Sequence, residues 1–260
     1  MRPFMLGFSI IFAVMLAAPC AIAQAASKPP TEEAADVKIQ PEALAALDRT
    51  AAHLRTLQSF MLIADTTQDD VLEGGEKVEI AGHNVYRVRR PDRFSLDIRN
   101  DKQHRQFFYD GKTVTQFAPA LGYYGVFEAP DTIAKVLDVA HDKYGISMPL
   151  ADLFHWGTER SNASEISSAY FVGEANVGGN VCNHYAYRSL NVDFQIWIRK
   201  EGDPLPCKLV VTDRQLESRP KVSSTLSWET NSQFPDETFT FKPPEAAIQI
   251  DHEPTVSSAN

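Results

Sequence analysis

From residue 59 the chain keeps a rhythm of two. Phe60 and Leu62 alternate with Met61 and Ile63, Val78 precedes Ile80, and Phe94, Leu96 and Ile98 alternate with Ser95, Asp97 and Arg99. Successive side chains of a strand point to opposite faces, so this spacing predicts half-buried strands and not helices. Residues 66–70 are polar, and Arg89-Arg90-Pro91 breaks the next run. Residues 106–109, the pair Asp110-Gly111 and residues 113–117 predict a hairpin, and 122–127 a further short aromatic strand. The rhythm returns at 169–176, turns at Gly178-Gly179-Asn180, and continues through a three-stranded meander at 181–213. In that meander Tyr185, Tyr187, Phe194, Ile196 and Ile198 alternate, with breaks at Asn191-Val192 and at 201–204. Residues 221–230 and 237–241 complete the set.

Elsewhere the period is that of a helix. Pro41 suits a first helical position, and Leu44, Leu47, Ala51, Leu54 and Leu57 then recur at spacings of three and four. Asp131 is placed to cap a second helix whose Ile133, Val136, Leu137, Ala140 and Tyr144 share a face, and 149–156 read as a short helix or turn ending in Phe154, His155 and Trp156. The predicted order is a helix, about six strands, a helical insertion and about five strands. Residues 41–250 then form one mainly β (α+β) domain of about 10–11 antiparallel strands, which must close a barrel, stack into a sandwich or curl around something, with a flexible leader at 26–40 and a tail at 251–260.

The first 25 residues alter the compartment. Arg2, an apolar run at 8–18 and small residues around Ala21, Ala23 and Ala25 follow the order of a secretory signal peptide, the alternative being a retained anchor. Pro19 before Cys20 is unsuited to lipidation at that cysteine, so the chain reads as periplasmic and not membrane-spanning after cleavage. The net charge of −9, with Lys and Arg scattered, excludes nucleic acid as a partner and a polybasic hold on anionic lipid. In an oxidising compartment the remaining pair, Cys182 and Cys207, predicts one disulfide, the alternative being two buried thiols. Strands separated by one neighbour lie about 9.5 Å apart, whereas a bridge needs Cα atoms within about 7 Å, so the sheet must twist or coil there.

No catalytic or phosphate-binding motif is present, the seven histidines are scattered, and neither a metal site nor a cofactor is expected. What stands out is an excess of large apolar groups. Phe60, Leu62, Phe94 and Leu96 in the first strands are joined by Phe117, Phe127, Phe154 and Trp156, and by Phe194, Ile196, Trp197 and Trp228 later. They line either a ligand groove or a closed core under the helices. A groove is favoured by strands such as 59–63 and 194–198 that carry such groups on both faces.

Certain phrases carry a resemblance: Phe108-Tyr109-Asp110-Gly111-Lys112-Thr113-Val114, the Trp197-Ile198 strand followed by Pro204-Leu205-Pro206, and the closing Phe239-Thr240-Phe241-Lys242-Pro243-Pro244. With the element order, they resemble the LolA/LolB-like lipoprotein carrier superfamily and, more closely, a predicted periplasmic family designated domain of unknown function 2092. The resemblance implies an unclosed half-barrel with a helical lid over an apolar groove. The expected function is a non-enzymatic carrier or sensor of a lipid, an acyl chain or another apolar ligand. An envelope protein-interaction module (stress or assembly factor) is the alternative, and a hydrolase with an unrecognised site the third.

Overall fold

Proline begins the first helix at no cost, because the N–H it lacks is one the first turn leaves unpaired in any case. In the computed structural model, which describes residues 39–156 and 165–252, this helix, α1, spans Pro41–Thr56. Its buried side is Ala43, Ala46, Thr50, Ala51 and Leu54, while Leu44 and Leu47 are only partly covered. The expected leucine stripe is thus rotated toward the alanines. Small side chains let the helix lie close on the sheet, where the buried Tyr187 hydroxyl donates to the Ala43 carbonyl at 2.8 Å.

The first strands, β1 (Ser59–Val71) and β2 (Lys77–Arg89), are unbroken over 13 residues each. The polar residues 66–70 stay within β1: their backbone pairs with β2, and that of Thr66 to Gln68 also with a later strand on the other side, which satisfies N–H and C=O whatever the side chains are. β3 (Arg93–Asn100), β4 (His104–Tyr109), β5 (Thr113–Ala118) and β6 (Tyr123–Glu128) continue the antiparallel meander. After α2 (Ile133–Tyr144) and the one-turn α3 (Asp152–His155), a second meander follows. It comprises β7 (Ser168–Val177), β8 (Asn180–Arg188), β9 (Val192–Arg199), β10 (Pro206–Asp213) and β11 (Lys221–Glu229). The two meanders meet where β1 pairs with β11, in one curved 12-stranded sheet that does not close: its edges are β7 and β12 (Ile248–Ile250), which adds in parallel outside β6.

Three local expectations are corrected. Residues 237–241 are not a strand: Asp236–Phe239 form a 3-10 turn between Pro235 and the Pro243-Pro244 pair, where missing N–H groups disfavour a ladder, and the last strand lies further on. The cap of α2 is Thr132 and not Asp131. Its hydroxyl accepts from the Lys135 N–H at 3.5 Å, and Asp131 instead pairs with Lys135 Nζ at 2.9 Å. The turn between β8 and β9 comes before Val192 and not across Asn191-Val192; counting across the expected turn would set Cys182 opposite Glu201, whereas it faces Arg199. A slip of two residues keeps every side chain on its predicted face.

Cys182 and Cys207 are bonded, with Cα atoms 6.8 Å apart. The strands β8 and β10 are two apart in the sheet, and the bulge between Pro206 and Lys208 brings Cys207 over β9 to its partner. The signal peptide, most of the leader, residues 157–164 and residues 253–260 lie outside the described residues.

Candidate ligand cavity under the helical cover

On the face that the helices cover, paired residues line up in rows across the strands. The row at one end consists of Tyr109, Phe94, Val88 and Phe60; the next of Phe107, Leu96, Tyr86, Leu62 and Trp228. Phe154 of α3 seats on these rows, its ring centroid 6.3 Å from Phe60 and 5.9 Å from Tyr86. Large rings meet the cover directly, and the void left among Phe60, Leu62, Phe154 and Trp228 is only about 10 Å³. Arg90 closes that void, its guanidinium carbon 5.8 Å above the Phe154 ring, and burial holds its pKa below the usual arginine value.

The chemistry changes one row on. Arg105, Ile98, Asn84, Ala64 and Leu226 come next, then Asn100, Gly82, Thr66, Ser224 and Leu209, then Ile80, Gln68, Val222 and Val211. These rows carry no ring, and Ala64, Gly82, Thr66 and Ser224 at their centre are small, so the floor does not reach the cover formed by residues 147–150. A cavity of about 380 Å³ remains between the two, within the roughly 300–1,000 Å³ typical of ligand sites. Its close neighbour, about 360 Å³, shares Gln68, Val211 and Val222 and extends toward Asn191 and Pro220. Tyr86 marks the boundary: its hydroxyl donates to the Pro149 carbonyl and so pins the cover where the rings end. Burial pushes the Tyr86 pKa far up, keeping the hydroxyl protonated as that bond requires. The same device recurs at Tyr109, whose hydroxyl donates to the Pro130 carbonyl and whose pKa is pushed up to about 12 chiefly by burial.

A further cavity of about 420 Å³ lies behind the cover, between α2 and α3, lined in part by Asp138, His141, Asp152 and His155. His155 Nε2 is 3.4 Å from Asp138 Oδ1, and burial depresses the His155 pKa despite the pull of Asp152. Among the described residues no group of three or more His, Cys, Asp or Glu side chains is placed to hold a metal ion.

None of the twelve residues expected to line a groove borders the 380 Å³ cavity. Phe60, Leu62, Phe94, Leu96, Phe127, Phe154 and Ile196 are buried, and Trp156, Phe194 and Trp228 pack partly buried against the same core. Phe194 stacks on Tyr187 at 4.6 Å, and Trp228 donates from its indole N–H to the Pro206 carbonyl at 2.8 Å. Two members are parted from the rest by the sheet itself. Phe117 lies on the outer face beside Phe241, at 5.0 Å, and Trp197 stacks there on His184, at 3.8 Å, with the Lys208 ammonium 5.2 Å from its ring. What sequence reasoning missed is the continuation of each apolar run at the same parity: after Phe60 and Leu62 come Ala64, Thr66 and Gln68, small and polar but on the same face.

With this geometry in hand, relatives can be considered. The profile of a family described as predicted periplasmic protein (DUF2092) matches residues 43–252. The chain belongs to this family. No curated protein matches it in sequence. Among solved structures, an uncharacterized conserved protein from Thermus thermophilus is similar at 10% identity over 81% of this chain and 99% of that one, with a TM-score of 0.45. The Mycobacterium tuberculosis lipoprotein LppX is similar at 12% identity, over 75% of this chain and 99% of that one, at 0.41. MucB in complex with MucA is similar at 15% identity, over 76% of this chain but only 60% of that one, also at 0.41. Among the described residues of this family member, no helix is long and apolar enough to cross a membrane.

Proposed function

We propose that this protein is a periplasmic carrier or sensor that binds a lipid, an acyl chain or another apolar ligand without chemistry, and that the ligand lies between the sheet and the cover at 147–150. The observation that carries this reading is the 380 Å³ cavity, floored by strands and roofed by a segment tied down at Tyr86. Apolar side chains from five strands, Ile80, Ile98, Leu209 and Val211 among them, face it. The ring-filled rows beside it hold the fold without needing a ligand. Purification from the native envelope, followed by organic extraction and mass spectrometry, tests the reading: a stoichiometric copurifying lipid is the expected result, and ligand-free protein that also takes up no acyl probe would overturn it.

The second reading is a protein-interaction module. It is favoured by the edge strand β7, where Tyr170, Phe171 and Val172 are all exposed. Only the first residues of that edge are covered, by the bridge from Ile39 to Ala169 and the bond from the Phe171 N–H to Gln40 Oε1 at 2.8 Å. An exposed edge of this kind accepts an extended segment by backbone pairing. Crosslinking in the periplasm that captures one envelope protein through β7 would favour it.

A further inference from the structure

The cavity is not uniform from end to end. From this asymmetry we infer that its ligand is a single-chain amphiphile with an anionic head, the head lying toward β4 and the chain toward β10; the inference rests on the carrier reading above. Asn84 and Ser224 are each only 2% exposed, yet both border the cavity. Among the described residues neither the Asn84 amide nor the Ser224 hydroxyl has a hydrogen-bond partner. Neither is among the side-chain atoms shut away without a partner, so both open onto the cavity and bond whatever fills it.

The charge sits at one end. Arg105 stands in the same row as Asn84, with Ile98 between them, and its exposed guanidinium makes no ion pair among the described residues. Its neighbours Arg99 and His104 point to the other face, where both are engaged by Asp97 at 3.0 and 3.1 Å. Asn100 and Gln103 add neutral donors near Arg105. At the far end the lining is Leu209, Val211 and Val222. The one carboxylate in the lining, Asp152, is on the cover, at the start of α3.

From β4 to β10 the sheet order counts five strand spacings, or roughly 24 Å, enough for an extended long acyl chain. The volume of about 380 Å³ has room for one such chain.

The test uses the delipidated full-length mature protein with two probes of equal chain length, palmitate and hexadecanol, in calorimetric titrations. Palmitate is expected to bind at least about tenfold more tightly, since hydrogen bonds to an ionised group are the stronger ones. R105Q should bring palmitate down to the level of hexadecanol and leave hexadecanol unchanged, while D152N should tighten palmitate. Unaltered melting temperatures of both variants show that the fold is kept. Equal binding of the two probes to the unmodified protein overturns the anionic head and leaves the carrier reading intact. Binding of neither probe overturns both.

Discussion

The two ends of the helix-covered face are built from the same strands and covered by the same chain segment, yet one is solid and the other hollow. Along β1 the inward side chains run Phe60, Leu62, Ala64, Thr66 and Gln68; along β2, read the other way, they run Val88, Tyr86, Asn84, Gly82 and Ile80. The backbone does not change at the boundary. What changes is the reach of the side chains, from rings that meet the cover to groups that stop short of it. A sheet with a lid therefore acquires a site by withholding volume from a few rows, and the rows left full provide the stability that the hollow rows give up. Thr66 shows how close the floor is packed even here, since a Cβ on Gly82 would stand 2.6 Å from its hydroxyl.

If the two ends differ in this way, the same charge placed in each must have different consequences. Leu62→Asp puts an unpaired carboxylate where the side chain is wholly buried and should cost several kcal/mol, a large part of the roughly 5–15 kcal/mol typical of a domain. Loss of the cooperative transition in circular dichroism is expected. Ser224→Asp, facing the cavity, should leave a folded protein; if both variants unfold alike, the hollow end is not hollow. Reduction of the Cys182–Cys207 bond opens a loop closed across 25 residues and should remove about 3–4 kcal/mol in the chain-entropy model. Melting should fall by several degrees while the protein, when folded, still takes up the acyl probe, because the bond lies off the cavity. Val222→Trp alters an exposed rim residue and should change stability by no more than about 0.5 kcal/mol, but it should block a long-chain probe.

The smallest effect concerns the cover. Burial depresses the pKa of His155 on α3 and of His252, which packs beside Tyr144 of α2 at 5.5 Å. A histidine that is harder to protonate in the folded state adds nothing at neutral pH and opposes folding once the unfolded chain takes up the proton. Stability should therefore hold above the ordinary histidine pKa of about 6.5 and fall as the solution is acidified through and below it. A melting temperature lower by a few degrees at pH 5 than at pH 7, with the difference reduced in H155Q/H252Q, is the expected result. A flat profile in the parent protein would show that the cover is insensitive to these groups.

Much of the sheet was legible in the sequence because alternation survives wherever one face is buried: β3, β4 with its Asp110-Gly111 turn, and the Phe194, Ile196, Ile198 series all lie where the period of two places them. Legibility failed where pairing alone decides the structure. Thr66 to Asp70 carry no apolar signal, yet all are held by the ladder to β2 and the first three by β11 as well, and β12 is three residues whose only warrant is the free edge of β6. The site was the least legible part for a related reason. Large apolar residues announce themselves, but here they mark where space is filled, and the cavity is marked by Thr66, Gly82 and Ser224, which look like nothing in a sequence.

The seam between β1 and β11 joins Met61 to Glu229 and runs beneath the cavity at Thr66 and Ser224. Contacts so distant along the chain form late and slowly, since the intervening loop must be closed before they repay it. Until the last strands arrive, β1 presents an unpaired edge of 13 residues open to wrong partners. Completion of the sheet therefore waits for the last strands, and a bound amphiphile spanning β1 and β11 would act as a clasp that slows the seam's reopening.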